Sequence, residues 1–157
     1  MEPGEIIAAY RLERHPEGGW FREVHRSARS LGPVPGYPGD RTALTAILFL
    51  LTRGDFSAFH RLRSEEAWIH LAGDPLELVL LGQEVQRIAL GPAARGGNPL
   101  AMVPAGRLQA ARTSGEYTLS ACLVAPGFEF ADFSMPSRDD LLREHPERRD
   151  LILAFTR

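Results

Sequence analysis

Apolar and polar positions alternate in short runs along most of this chain, and nearly every run ends at Gly, Pro or Asp. Trp20–Arg26, Phe56–Leu62, Ala67–Leu71, Leu76–Leu81, Gln83–Ala89, Ala101–Val103, Gln109–Arg112 and Tyr117–Val124 read as strands, with Phe128–Phe133 a further candidate. Thr42–Thr52 is mostly apolar and β-branched, the pattern of a strand buried on both faces. The breakers between runs include Gly54-Asp55, Gly73-Asp74-Pro75, Gly91-Pro92, Pro104-Ala105-Gly106 and Pro126-Gly127. Many short strands so punctuated predict an all-β fold, an antiparallel sandwich or barrel. Residues 31–40, rich in Pro and Gly, predict a long loop.

The two ends carry the helical period instead. Pro3 suits a first turn, and Ile6, Ile7 and Tyr10 fall on one face. Near the other end, Ser137 and Asp140 form a capping box ahead of Leu141-Leu142. Pro146 ends that helix and starts a last one carrying Leu151, Ile152 and Phe155.

Composition narrows the function classes. At 157 residues, 44% hydrophobic and 24% charged, the chain reads as one globular domain over 1–157. A formal net charge of −2 gives no basis for binding nucleic acid or a membrane surface. All basic residues are Arg, so a lysine Schiff base or lysine general base is excluded within the chain. Cys122 is the only cysteine, so no intrachain disulfide or thiolate cluster forms. It sits in an apolar run, which suits a packed, inert thiol. The N-terminal residues show no leader pattern and no run is long enough to cross a bilayer, so a cytoplasmic location is expected.

The stretch Ser57–Asp74 holds the candidate chemistry. By strand alternation Glu66, Trp68, His70 and Ala72 share one face, and Ala67, Ile69 and Leu71 the other. The first face suits a ligand pocket and the second should meet a sheet or helix. On the preceding strand His60 shares a face with Ala58 and Leu62, and a hairpin brings it near Glu66. A histidine beside a carboxylate suits general acid–base work, or half of a metal site. The plainer readings stand beside these: a solvated turn for Glu65-Glu66, a hydrogen-bonded rim residue for His70, core packing for Trp68. His15 and His145, each next to a proline, read as turn or cap residues, and His25 as exposed.

Glu66, six residues, then Gly73 matches the end of the first cupin motif, and Pro104-Ala105-Gly106-Arg107-Leu108-Gln109 the core of the second. With His15-Pro16-Glu17-Gly18-Gly19-Trp20, Phe59-His60-Arg61 and Ala125-Pro126-Gly127-Phe128-Glu129-Phe130-Ala131-Asp132-Phe133, the chain resembles the cupin-5 (DUF985) group of the cupin superfamily. The resemblance implies a double-stranded β-helix, a jelly-roll barrel, forming a homodimer. A metal-binding cupin supplies His-x-His, a glutamate and a third histidine. Here Ala58 replaces the first histidine and Gln109 the last, and one extra residue separates His60 from Glu66. Two good ligands are too few for a tight transition-metal site. The expectation is therefore no cofactor. A metal, if one bound, would use His60 and Glu66.

Metal-free cupins include sugar epimerases and isomerases. By analogy, this chain is expected to be an acid–base enzyme acting on a small sugar or sugar-phosphate-like substrate by epimerisation, isomerisation or elimination. His60, Glu66 and His70 would be its catalytic groups. Arg22 and Arg41 would clamp an anion, and Trp68 and Gln109 would complete the substrate site. Glu129 and Asp132 would close the barrel mouth or pair with such an Arg. Two alternatives remain: a non-catalytic small-molecule binder, and a divalent-metal-dependent cupin enzyme.

Overall fold

The computed structural model describes residues 2–157; Met1, where the reading of the N-terminus begins, lies outside them. The chain runs α1 (Pro3–Tyr10), β1 (Glu13–Arg14), β2 (Trp20–Arg26), β3 (Ser30–Pro33), β4 (Asp40–Thr42), β5 (Thr45–Thr52), β6 (Phe56–Leu62) and β7 (Glu65–Gly73). It continues through β8 (Leu76–Leu81), β9 (Val85–Leu90), β10 (Leu100–Val103), β11 (Leu108–Thr113), β12 (Tyr117–Ala125) and β13 (Phe133–Ser134), and closes with α2 (Arg138–Glu144) and α3 (Arg149–Ala154). The strands form two main antiparallel sheets, in the orders β1-β2-β5-β12-β7-β10 and β13-β6-β11-β8-β9.

Between the sheets lies an apolar core that includes Phe49, Leu51, Trp68, Leu76, Leu78 and Leu80. Each outer face has a helical cover. Ile6 and Ile7 of α1 pack on Leu48, Leu50 and Leu119 of the six-stranded sheet. Leu141, Ile152 and Phe155 at the other end pack on Phe59, Val79, Leu108 and Ala110 of the five-stranded sheet. Ser137 caps α2 by accepting the Asp140 amide at 3.1 Å. No helix among the described residues is long and apolar enough to cross a membrane.

Three sequence expectations shift. The loop predicted at 31–40 is mostly the turn of a separate two-stranded ribbon, β3 with β4, so the predicted strand Thr42–Thr52 divides at residues 43–44. Phe128–Phe133 is a loop with one 3₁₀ turn, reaching strand geometry only at Phe133. The face Ala67-Ile69-Leu71 is not covered: Leu71 is 48% exposed, and Leu100 and Met102 on the neighbouring β10 are 45% and 52% exposed. Helix α1 is only eight residues long and covers the other part of this sheet.

Candidate functional site

A cavity enclosing about 680 Å³ of free space, part of it open to solvent, lies at one end of the layer between the sheets. His60 and Glu66 line it, and so do His15, read from sequence as a turn or cap residue, and Glu17.

A bulge sets the geometry of β6. Gln109 of β11 pairs with His60, but Ala111 pairs with Ser57, so β6 carries one extra residue there. The extra residue breaks the two-residue period. Phe59 is left on the outer face, against Phe155. Ser57 and His60, three apart, both reach Glu17. The bulge takes two backbone amides out of the ladder. Ala58 N donates instead to Glu17 O at 2.8 Å, and Phe59 N to Phe155 O at 2.9 Å.

The loop bearing Glu17 is held from several sides. Gly18 and Gly19 have φ of 108° and 76°, and a Cβ at Gly18 would strike Phe56 O and the Arg157 guanidinium. Gly19 N donates to Asp55 Oδ2 at 3.0 Å. Arg157 reaches back to donate to Glu17 O at 2.5 Å, Asp55 Oδ1 at 2.7 Å and Phe56 O at 2.8 Å.

Glu17 Oε1 accepts from the Ser57 hydroxyl at 2.7 Å, while Oε2 lies 3.3 Å from His60 Nε2 and 3.5 Å from His15 Nδ1. His60 Nδ1 is 2.8 Å from Ala58 O, so the tautomer that satisfies this carbonyl carries its proton on Nδ1. Nε2 then offers a lone pair toward Glu17. On the opposite sheet Glu66 Oε2 accepts from Gln109 Nε2 at 2.6 Å. Trp68 fixes that amide: its indole N–H only donates, and it takes Gln109 Oε1 at 2.9 Å, which turns the amide nitrogen toward Glu66.

Burial dominates the electrostatics. It pushes Glu17 up to about 8, against smaller pulls downward from the Ser57 hydroxyl and the Arg157 charge. It pushes Glu66 up to about 7, opposed by His60. Burial also lowers His15, to about 4, and lowers His60. Near neutral pH the site therefore holds neutral imidazoles beside carboxyl groups that exchange protons readily. Cys122 also lines the cavity, but burial holds its thiol well above its ordinary pKa, as expected of an inert thiol.

The mouth is polar and aromatic. Arg26 donates to Glu23 at 2.9 and 2.8 Å, to Glu129 at 2.9 Å and to Phe128 O at 3.1 Å. Phe128, Phe130 and Phe133 crowd next to it with ring centroids 5.0–6.2 Å apart.

Of the residues expected from sequence, His60, Glu66 and Trp68 line one cavity, and Gln109 stands behind Glu66. The rest are elsewhere. His70 lies next to the β7–β12 irregularity opposite Leu119–Ser120, and its Nε2 is 3.1 Å from Asp74 O, as in the rim reading. Arg22 points outward to Tyr10 O of α1. Arg41 forks onto Asp132 at 2.7 and 2.8 Å, a buried pair that leaves it no role as an anion clamp in the cavity. The sequence reading gave His15 only a turn or cap role and Glu17 none, because Pro and Gly mark their segment as a turn. The only sequence signal was the family motif around them.

The metal positions of other cupins do not suit a metal here. Ala58 has no donor atom, and both ends of the Gln109 amide are committed to Trp68 and Glu66. Among the described residues no three His, Cys, Asp or Glu side chains are grouped to hold an ion.

Two antiparallel sheets enclosing a polar-centred cavity between motif-bearing strands define a cupin. The family model described as Cupin superfamily (DUF985) matches residues 4–136, and the chain belongs to that family. It is similar to a hypothetical protein from Leishmania major at 30% identity and TM-score 0.91, covering 99% of each chain. It is also similar to a protein from Shewanella oneidensis at 31% identity and TM-score 0.91, covering 100% of this chain and 98% of that one. Oxalate decarboxylase from Bacillus subtilis shares the fold at 12% identity and TM-score 0.58, over 90% of this chain and 36% of its own. No curated protein matches the chain.

Arg157 is positioned to tune Glu17. Arg157→Ala should raise the Glu17 titration midpoint, followed through the side-chain carboxyl signal of ¹³C-glutamate-labelled protein, and Arg157→Lys should restore part of the shift. An unmoved midpoint would mean that the guanidinium only holds the loop.

Proposed function

We propose that this protein is a jelly-roll cupin that catalyses proton transfer on a small organic substrate without a metal, by epimerisation, isomerisation or elimination. The observation that carries the reading is the buried array of His60 between Glu17 and Glu66. Glu66, its pKa close to neutrality, suits a base that removes a proton next to a carbonyl. Protonated Glu17, oriented by His60 and the Ser57 hydroxyl, suits the acid on the other side. The desolvated walls strengthen both. With Arg22 and Arg41 turned away, no free guanidinium among the described residues lining the cavity favours the phosphorylated sugars expected from sequence.

The test is wash-in of solvent deuterium into a panel of ketoses, sugar phosphates and amino-ketones, followed by mass spectrometry. Exchange into one compound that tracks enzyme concentration supports the reading. A panel without exchange, with one compound raising the melting temperature, would make the protein a binder.

A homodimer is also part of this proposal. Ala67, Ile69, Leu100 and Met102 lie side by side on β7 and β10, and a second copy seated there would cover the apolar strip. Light scattering should give twice the chain mass for the wild type and one chain mass for Met102→Arg. A monomeric wild type would remove the dimer.

A further inference from the structure

The cavity is acidic and aromatic at once. Glu17 and Glu66 stand inside it, each 5% exposed, and Glu23 and Glu129 stand at the mouth. The single guanidinium in its wall, Arg26, already has both mouth carboxylates and a carbonyl as partners. An anion entering would meet the Glu66 carboxylate in a low dielectric, where repulsion is strong. A polyol would need hydrogen-bond partners along its length. Between the inner carboxyls and the mouth, the walls offer mainly Ile47, Phe49, Val124 and aromatic rings, with Thr45 already accepting the Phe128 amide at 2.9 Å.

Phe21, Phe49, Trp68, Phe128, Phe130 and Phe133 line the same space. The negative face of an aromatic ring attracts a cation, and does so most strongly once water is excluded. Rings around a space with buried carboxyls at its inner end suit one kind of guest. We propose that the cavity binds a compact organic cation, an ammonium group carrying small alkyl substituents, seated among these rings and balanced by Glu66. This rests on reading the cavity as the substrate site and narrows the substrate to that class.

Isothermal titration at pH 8.5 and constant ionic strength tests the idea with three probes: choline, its uncharged isostere 3,3-dimethyl-1-butanol, and glucose 6-phosphate. Choline should bind at least tenfold more tightly than the isostere, and glucose 6-phosphate should not bind. Glu66→Gln should weaken choline about tenfold and leave the isostere unchanged. Phe130→Ala, at a ring 55% exposed, should weaken choline at least threefold. Equal binding of choline and the isostere, preference for the phosphate, or choline binding indifferent to both substitutions would overturn the cation. The two readings fail separately. Choline binding with no deuterium exchange in any amino-ketone sinks proton transfer alone. Exchange into an uncharged ketose without choline affinity sinks the cation alone.

Discussion

Glu66→Gln should cut deuterium exchange into a responsive substrate by about 10²–10⁴-fold, the usual contribution of a positioned general base. Glutamine keeps the shape of the side chain but cannot accept the proton. Glu17→Gln should lose less, because Glu17 is the acid partner rather than the base that takes the proton from the substrate carbon. His70→Gln should keep wild-type exchange, since His70 lies against Asp74 O outside the cavity. The same variants carry a stability signature that separates a lost base from a damaged fold. Glu66 has a folded pKa near 7 against an ordinary 4.5, and Glu17 near 8. Between those limits the folded state binds more protons than the unfolded one, so these groups cost stability as pH rises from about 4.5 to 7–8. His15 and His60, depressed below 6.5, act in the opposite direction, but only at lower pH. Wild-type melting temperature should therefore fall from pH 6.5 to 8, and each Gln variant should flatten part of that fall. A Glu66→Gln protein that is folded and retains full exchange would remove Glu66 from the mechanism.

Phe155→Ala should destabilise the protein by about 3–5 kcal/mol, the usual cost of deleting a fully buried phenylalanine. Phe155 is 1% exposed and packs edge-on against Phe56 and Phe59, with ring centroids 6.0 and 5.7 Å away. Its carbonyl also accepts the Phe59 amide that the β6 bulge frees. Removing the ring loosens the tail that holds this bulge, and with it the strand that aims His60. Urea unfolding should show a lower midpoint at unchanged slope. A loss under about 1 kcal/mol would mean that the tail is not part of the cooperative core.

Much of the fold was legible because local rules decide it. Alternation and turn residues mark β2, β6, β8 and β12 nearly to the residue, and Ser137 caps its helix as its spacing predicts. The convergence of His60 and Glu66 was legible too, since both follow from the motif-bearing strands. Trp68 lines the cavity as alternation from Glu66 predicts. The same rule failed at His70, beside the β7–β12 irregularity, and the apolar face Ala67-Ile69-Leu71 met no sheet or helix. The ribbon inside 31–40 was hidden by Pro and Gly, which mark both turns and short edge strands.

The sequence by itself determined the β-rich class, the family and a histidine–carboxylate pair at its centre. Only the tertiary structure decided that Glu17 joins them, reaching Ser57 from 40 residues away, that Gln109 orients Glu66 from 43 away, and that Arg41 is consumed by Asp132 from 91 away. The reason is physical. Side-chain alternation and turn chemistry act over a few residues, whereas partners this distant are fixed by strand register, and a single bulge in β6 is enough to change which side chains face inward.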